Sequence, residues 1–489
     1  MDTLFTDKDL AQIDAHGQTV AGVERQMKNF LSGFPFLDIE RAAVKGDGIF
    51  TTDEKSTGHF IDIYRDAAPG LKVVKFVPAS GAASRMFKDL YEFTDAGVHN
   101  TVSEKTVANI GRFAFYDMIS ARIQGMDDRA VVQAVLDYGA RLPKGLIAFH
   151  KYADEVRTAA EEHLIEGAQY AAGNGQVNIH FTVSPEHEEG FRMLLGIVAE
   201  KYEKRYGVKY RFSFSHQKPS TDTIAVAPDN EPFRQKDGSL LFRPAGHGAL
   251  IENLGEIDAD IIFIKNIDNV TVDRFKGDTA VYKMALGGML VSLQGKIFNY
   301  LGILDRRTDE ATLANIREFT ERELCHIFPD GFATMKHEEQ AACLRRILDR
   351  PLRVCAMVRN EGEPGGGPFW VADSDGARSL QIAEPAQIAP EKRSLLTEGT
   401  HFNPVDIVCG TKNYMGERFD LSKYVDPQTG LISKKSHDGR TLKALELPGL
   451  WNGAMADWNT VFAEAPVSTF TPVKTVTDLL RPQHQQTEK

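Results

Sequence analysis

Apolar positions along the chain follow two different periods, and from residue 72 onward these periods alternate in order. Short apolar or alternating runs predict four strands, at 72–77, 177–183, 208–215 and 259–264. The stretches 155–172 and 186–206 between them have the spacing of helices. Alternation of strands and helices is typical of a mostly parallel sheet covered by helices on both faces, so the pattern predicts an α/β fold.

The regions around this alternation have other patterns. Residues 3–35 predict two short helices broken at Gly17. Residues 40–70 are mixed and rich in glycine and aspartate, which predicts irregular structure. Residues 87–142 predict a helical insertion after the first strand, and residues 278–349 are again helical in pattern.

The last third of the chain predicts a second kind of architecture. After residue 350 we expect short strands separated by turns, at 352–358, 368–373, 378–383 and 404–409. These changes divide the chain into three regions. They are an N-terminal helical and irregular region (1–70), an α/β domain (71–350) with the helical insertion at about 87–142, and a C-terminal α+β region (351–489) that contributes to the active site.

Composition excludes several classes of protein. The 489 residues are 42% hydrophobic and 26% charged, which is typical of a folded protein, and the net charge of −11 argues against nucleic acid as a partner. The four cysteines form no CxxC pair, so neither a disulfide framework nor a zinc site is expected. No run approaches the ~20 apolar residues of a membrane span. We therefore expect a cytoplasmic protein without a membrane partner; the oligomeric state is left open.

The first strand leads into the turn FVPASGAASRMFK, residues 76–88. Small residues after a strand allow backbone N–H groups to approach a phosphate, and the next helix adds positive potential at its N-terminus. The residues that would bind in this way are Ser80, Gly81, Ala82 and Ser84, with Arg85 contacting phosphate oxygens. The turn has only one glycine, and a close-packed strand–turn–helix with a surface arginine explains it equally well.

Three further stretches contain candidate functional residues. Lys144 lies between proline and glycine, where it is either held in a cleft or solvated in a loop. Gln217 follows a strand, and its amide can read the donor and acceptor of a nucleobase edge or be a simple loop amide. Gly246 and Gly248 flank His247 and allow a flat ring or a phosphate to lie against the backbone. His247 itself is a base, a ligand or a structural lining residue.

Carboxylate and amide side chains lie next to two other apolar runs. Asp268 comes after the run at 259–264, where it can hold Mg²⁺ or cap a turn, and Asn269 is beside it. Asn403 and Asp406 come ahead of the apolar run that ends at residue 409, and either can complete a metal shell. Near the end of the chain, Lys474 precedes a helix-like segment.

The order of these stretches resembles the UDP-sugar pyrophosphorylase family, which includes UTP–glucose-1-phosphate uridylyltransferases and UDP-N-acetylhexosamine pyrophosphorylases. ASGAASRM lies where that family has a glycine-rich GGxGTxM loop. The other matching motifs are PKG at 143–145, the Gln217…Pro219 segment, PAGHG at 244–248, IDN at 267–269 and FTPVKTVTDLL at 470–480. The motifs span roughly residues 72–480, although the helical insertion and much of 275–400 match nothing in the family pattern.

The resemblance implies a Rossmann-like, glycosyltransferase-A-like nucleotidyltransferase fold with the nucleotide bound by residues 71–350. It implies that a nucleoside triphosphate, expected to be UTP, and a sugar 1-phosphate form a nucleotide sugar and release pyrophosphate, with Mg²⁺ as cofactor. Carried over by position, the catalytic residues are Arg85, Lys144 and Lys474, and the nucleotide contacts are the 79–86 loop, Gln217 and the turn of Gly246, His247 and Gly248. Asp268 and Asp406 are the implied metal ligands, and Asn269 and Asn403 the implied substrate contacts.

Two alternatives share the same fold. The first is a glycosyltransferase that consumes a nucleotide sugar, although two lysines suit two phosphorylated substrates better than a neutral acceptor. The second is a non-catalytic nucleotide-binding relative. Its support is that Ser80 and Ala83 stand where the family has glycines, because an added Cβ crowds a phosphate or forbids a positive φ.

Overall fold

The structure is a computed structural model that describes residues 4–81, 83–98, 100–306, 309–362 and 365–486. Its helices are α1 (Asp7–Ala15), α2 (Val20–Ser32), α3 (Glu54–Ala67), α4 (Lys88–Ala96), α5 (Thr101–Ala108), α6 (Tyr116–Ile123), α7 (Asp128–Gly139), α8 (Ala159–Tyr170), α9 (Pro185–Tyr206), α10 (Leu250–Gly255), α11 (Lys276–Leu304), α12 (Glu310–Arg322), α13 (His337–Leu348) and α14 (Ser394–Glu398). None of the helices in these ranges is long and apolar enough to cross a membrane.

The strands are β1 (Ile39–Ala42), β2 (Val44–Lys45), β3 (Gly48–Phe50), β4 (Val73–Pro78), β5 (Ala148–Lys151), β6 (Val156–Thr158), β7 (Ala172–Gly173), β8 (Gln176–Thr182), β9 (Lys209–Ser215), β10 (Thr223–Ile224), β11 (Phe242–Arg243), β12 (Ile261–Lys265), β13 (Leu352–Arg359), β14 (Gly367–Ala372), β15 (Arg378–Ala383), β16 (His401–Phe402), β17 (Asp406–Gly410), β18 (Leu431–His437), β19 (Arg440–Glu446) and β20 (Asn459–Glu464). The four strands predicted from residue 72 onward, and the four predicted after residue 350, are all present within one or two residues.

A central sheet has the strand order β2-β3-β20-β13-β17-β12-β4-β8, with β9 and the short β7 also paired to β8 and β16 paired to β13. Its neighbours along this order are parallel except for β17, which runs antiparallel to both β12 and β13. Apolar clusters lie on both faces of the sheet, as helices cover it on two sides. The predicted mixed, mostly parallel α/β fold is therefore confirmed. Strands from all three predicted regions lie in this one sheet.

The reversed strand determines which residues meet at one edge. Because β17 runs against its neighbours, its first residue lies where β12 ends, and Asp406 pairs in register with Lys265. The loop before β17, which contains Asn403, therefore reaches the edge formed by the carboxyl ends of β4, β12 and β13. Ligands of open α/β sheets bind at this edge.

The prediction of irregular structure for residues 40–70 is wrong. The segment forms β1 to β3 and the helix α3, whose first turn is fixed by Asp53 accepting the backbone N–H of Ser56. Helix α3 packs closely on α11, where a Cβ on Gly288 would lie 1.8 Å from the carbonyl oxygen of Phe60. Close packing against a distant helix stabilises α3 despite the unfavourable Gly58 in its interior.

The predicted insertion at about 87–142 contains the four helices α4 to α7. Phe87, Phe113 and Phe115 from this region are fully buried in one apolar cluster with residues of β4 and β8. The C-terminal segment returns to the same place, since the backbone N–H of Val476 donates to the carbonyl of Met86 at 3.0 Å. The insertion and the chain terminus thus flank the turn after β4.

Candidate functional site

A cavity of about 610 Å³ opens at the carboxyl edge of the central sheet. Residues after β12 and β13, the loop before β17 and two C-terminal segments line it. Four of the predicted site residues are in the lining: Asp268, Asn269, Asn403 and Lys474. Glu384 and Trp451 also line it, and sequence reasoning missed both because neither lies in a recognisable motif.

Lys144 joins three separate stretches of the chain beside this cavity. Its ammonium donates to Asp268 Oδ2 at 2.7 Å and to the carbonyl oxygen of Val473 at 2.8 Å. The backbone N–H of Val473 in turn donates to the carbonyl of Asp268 at 3.1 Å. The Lys144 and Asp268 side chains are only 15% and 20% exposed, so the pair is shielded from water. The PKG, IDN and PVK motifs are therefore one structural unit.

Lys474 is held by a carboxylate that sequence reasoning missed. Asp478 Oδ2 accepts the backbone N–H groups of Lys474 at 2.8 Å and Thr475 at 2.7 Å. Asp478 is buried, whereas Lys474 is exposed, with its ammonium 5.9 Å from the centre of the Phe470 ring. The T-x-x-D spacing is a capping-box signature, and it was a usable signal. Asp478 thus shapes the turn that presents Lys474.

Backbone strain is present in the loop before β17. Val405 lines the cavity with φ of +57°, a region that β-branched residues rarely adopt. The side chain of Asn403 stabilises it by accepting the Val405 N–H at 2.9 Å while donating to the carbonyl of Ala356 at 3.2 Å. Asn403 is therefore a shaping residue of the cavity wall as well as a lining residue. Strain of this kind clusters at ligand sites.

Asp406 has a different partner from the one predicted. It is 3% exposed, forms an ion pair with the buried Lys283 of α11, and is not in the cavity lining. Across the described ranges no group of three or more His, Cys, Asp or Glu side chains is arranged to hold a metal ion. The geometry gives no support to Asp406 as a metal ligand, because its carboxylate is buried against Lys283 and does not line the cavity.

Two more buried lysines lie beneath the end of β12. Lys75 and Lys265 donate to opposite oxygens of Glu166, at 3.0 Å and 2.9 Å, and all three side chains are at most 1% exposed. Burial lowers the pKa of Lys75 to about 7 in spite of the opposing charge of Glu166. Lys265 immediately precedes the cavity residue Asn266, so this cluster fixes the strand end from which the lining residues follow.

The turn after β4 is close to the site but does not line the cavity. Ala82 lies outside the described residues. The carbonyl of Ser80 accepts a hydrogen bond from Ser184 at 3.0 Å, and the N–H of Ala83 donates to Leu142 at 3.3 Å. Ser84 and Arg85 are exposed on a short 3₁₀ turn, and Arg85 forms no ion pair within the described part of the chain. Gly81 is exposed, and a Cβ there would meet no atom within 4 Å.

Gln217 shows a different kind of signal. Its Nε2 is buried and has no hydrogen-bond partner among the described residues. Asn253 Oδ1 is also buried without a partner there, and the Asn253 amide donates to the carbonyl of His216 at 2.8 Å. A buried donor and a buried acceptor without partners are expensive in a folded protein. Gln217 is not among the residues that line the cavity.

The glycine turn after β11 is packed against the chain near residue 450. A Cβ on Gly248 would lie 2.1 Å from the carbonyl oxygen of Pro448, so only glycine fits. His247 Nδ1 accepts the N–H of Leu450 at 2.9 Å, and its ring stacks on Trp451 with centroids 4.2 Å apart. Burial lowers the pKa of His247 to about 4. The neutral ring carries its proton on Nε2, which excludes it as a general base in this arrangement.

The family model described as "Domain of unknown function (DUF4301)" matches residues 6–485. No curated protein matches the chain. Among solved structures, the uridine diphosphate N-acetylglucosamine pyrophosphorylase from Trypanosoma brucei is similar over 97% of this chain and 79% of that one, with 11% identity and a TM-score of 0.51.

The UDP-glucose pyrophosphorylase from Leishmania major is similar over 96% of this chain and 77% of that one, with 12% identity and a TM-score of 0.47. At 11% identity, the similarity to the Trypanosoma brucei enzyme shows the fold alone. The DUF4301 family model, in contrast, matches nearly the whole length of the chain. The chain therefore belongs to the DUF4301 family.

Proposed function

We propose that this protein is a sugar-1-phosphate nucleotidyltransferase, which forms a nucleotide sugar from a nucleoside triphosphate, with UTP as the expected donor, and releases pyrophosphate. The observation that carries the proposal is the unit in which Lys144 bridges Asp268 and Val473 beside Lys474. Two lysines and a carboxylate from three distant motifs meet at the edge of the sheet where ligands of this fold class bind. The order of the motifs and the fold of the trypanosomal relative support the same proposal.

The chemistry of such a reaction matches the residue types at the site. An oxygen of the sugar 1-phosphate attacks the α-phosphorus, one P–O bond forms, and the bond to the leaving pyrophosphate breaks. The nucleophile is already an anion and needs no general base, which agrees with the structural role of His247. Catalysis then depends on holding two anions together and stabilising charge on the transferred group. Lys474, Lys144 and Arg85 are the cations we assign to that task.

The donor set also fits a magnesium ion. Mg²⁺ is usually held by one or two carboxylates together with waters and substrate phosphates, so the single carboxylate of Asp268 is sufficient on the protein side. A bound ion would polarise the phosphoryl oxygens. We assign the uracil ring to Gln217, because its buried amide N–H group has no partner among the residues described. Asn269 and Asn403 are the proposed contacts to the remaining substrate groups.

The test is a screen for pyrophosphate release, in which several nucleoside triphosphates are combined with a panel of sugar 1-phosphates in the presence of Mg²⁺. Lys474→Met and Asp268→Asn should each lower the rate by roughly 100-fold, the scale of losing one preorganised electrostatic contact. Lys296→Met is the matched control, since Lys296 pairs with Glu323 at the surface and is not in the cavity lining. A folded protein that releases no pyrophosphate with any pair would overturn the proposal.

A further inference from the structure

Arg353, in the middle of the central sheet, has an unusual environment. Its guanidinium is fully buried on β13, and among the described residues it forms no ion pair with a carboxylate. Nε donates to Thr460 Oγ1 at 2.8 Å, Nη1 donates to the carbonyl oxygen of Trp451 at 2.6 Å, and Nη2 is buried without a hydrogen-bond partner in the part of the chain that the structure describes. Burial of a cation without a carboxylate partner lowers stability. We therefore look for the role of Arg353 in its hydrogen bond to the Trp451 carbonyl.

Trp451 is held once at its backbone and once at its ring. Arg353 holds its carbonyl by a charge-assisted hydrogen bond, and His247 stacks on the indole with an angle of 8° between the ring planes. His247 covers one face of the indole, and Trp451 is among the residues that line the cavity. The indole N–H donates to no group in the described ranges. Trp451 is partly buried, whereas the other two tryptophans, Trp370 and Trp458, are only 5% and 3% exposed.

Glu384 and Trp451 line the same cavity. The amide of Asn452 donates to Glu384 Oε1 at 3.3 Å, which links Glu384 to the residue that follows Trp451. Burial, together with the charge of Glu446, raises the pKa of Glu384. An aromatic face beside hydrogen-bond acceptors suits a ring that has weakly positive C–H groups on one face and hydroxyl groups around its rim. A neutral hexose has this chemistry.

We propose that Trp451 is a specificity-determining stacking platform for the hexose of the nucleotide sugar, and that Arg353 is the positioning residue that fixes it. The proposal rests on the proposed function, because it assumes that the ligand of this cavity is a sugar attached to a nucleotide. The stacked His247 forms the back of the platform, and Glu384 borders the rim of the hexose. The nucleobase lies elsewhere, at Gln217.

The experiment compares UDP-glucose with UDP, two ligands that differ only in the hexose and its phosphodiester link. Tryptophan emission of the full chain is recorded during titration with each, and affinities are measured by calorimetry. Because the other two tryptophans are buried in the core, a change of emission reports Trp451, and Trp451→Phe should abolish it. We expect UDP-glucose to change the emission more than UDP does. We also expect Trp451→Ala to weaken binding of UDP-glucose by about 2- to 10-fold relative to UDP, and Trp451→Phe to retain most of that preference.

Arg353 is tested by the same preference, which a purely structural role would not alter. Arg353→Met should lose it while UDP binding is kept, and Arg353→Lys should restore part of it, since a lysine can still donate to the carbonyl of Trp451. If Arg353→Met does not fold, the Trp451 variants and Arg353→Lys decide the matter. Far-UV circular dichroism of each variant confirms that the fold is intact.

The possible results separate the two proposals. Equal changes of emission with UDP and UDP-glucose would mean that the indole takes the base, which overturns the platform. An unchanged preference in Trp451→Ala overturns it as well and leaves the nucleotidyltransferase proposal standing if pyrophosphate is released. A hexose preference that depends on Trp451 without any pyrophosphate release supports the platform and defeats the proposed reaction. Failure of both ligands to bind the folded wild type overturns the platform, and the nucleotidyltransferase proposal is then decided by the screen for pyrophosphate release.

Discussion

Replacing Asp478 by alanine should loosen the turn that presents Lys474 without disturbing the central sheet. The carboxylate accepts the N–H groups of Lys474 and Thr475 at 2.8 Å and 2.7 Å and also contacts Arg481 at 2.8 Å. Asp478 is 6% exposed, so water does not easily replace these bonds. Each hydrogen bond to a charged group contributes at least about 1.5 kcal/mol, so losing both costs about 3 kcal/mol locally.

The assay is amide hydrogen exchange of the segment around residues 467–480, together with the rate of pyrophosphate release. A local loss of about 3 kcal/mol corresponds to exchange about 100-fold faster at the amides of Lys474 and Thr475. The rate of the proposed reaction should fall with it, by up to about 100-fold, because Lys474 is no longer preorganised. Asp478→Asn keeps one acceptor oxygen and should lie between alanine and the wild type.

Two controls separate capping from charge and from general destabilisation. Arg481→Ala removes the contact with an arginine that is 53% exposed and keeps both backbone bonds, so it should change exchange little. Asp309→Ala removes a comparable cap from α12, where Asp309 accepts the N–H of Thr312, and should leave residues 474 and 475 unaffected. The reasoning is refuted if Asp478→Ala leaves exchange at wild-type rates, or if Arg481→Ala has an equal effect.

Three other predictions follow from contacts of single residues. Lys144→Met should lower the free energy of unfolding more than the double variant Lys144→Met/Asp268→Asn does, because it leaves the Asp268 carboxylate without its partner. The coupling measured in thermal melts should be about 1–3 kcal/mol, and strict additivity would contradict the bridge. Gly248→Ala should cost about 1–3 kcal/mol because its Cβ meets the carbonyl of residue 448, whereas Gly81→Ala should be neutral; equal melting temperatures for the two would refute this. Lys75→Met should remove a pH dependence of stability. The folded-state pKa of Lys75, about 7, is below its unfolded value, so the wild type gains stability relative to the variant as pH rises from 7 to 10. Parallel curves of stability against pH for the two proteins would contradict this.

The sheet could be predicted from the sequence because its strands are short apolar runs bounded by turns and separated by helices. The antiparallel direction of β17 could not, because periodicity does not encode the direction of a strand. Helix α3 was missed since its stability comes from α11, far away in sequence, where Gly288 allows the two backbones to approach. Tertiary packing here outweighs local propensity.

The site divides in the same way. Asp268 and Asn269 could be selected because they follow an apolar run, and such positions converge at the carboxyl edge of the sheet. Asn403 and Lys474 reach the same edge through the reversed strand β17 and the C-terminal segment, which local patterns do not encode. The partner of Asp406 could not be foreseen, because Lys283 lies on a helix in an ordinary apolar pattern.

The position of Trp451 in the cavity lining could not be predicted from the sequence. Trp451 meets His247 only because the chain near residue 450 packs on the glycine turn. Its anchor on Arg353 comes from the neighbouring part of the sheet. Contacts of this kind arise from the fold and not from local patterns of residues.

Transfer of a nucleotidyl group to a sugar phosphate is the reaction that we propose for the cavity beside Lys144, Asp268 and Lys474. The most direct measurement follows UTP labelled with ³²P at the α-position, incubated with Mg²⁺ and a panel of hexose 1-phosphates. We predict that the label moves into a nucleotide sugar that resists phosphatase, and that this transfer is lost in Lys474→Met. Label that stays in UTP with every hexose 1-phosphate, or that appears in free UMP independently of the sugar phosphate, would contradict the proposed transfer.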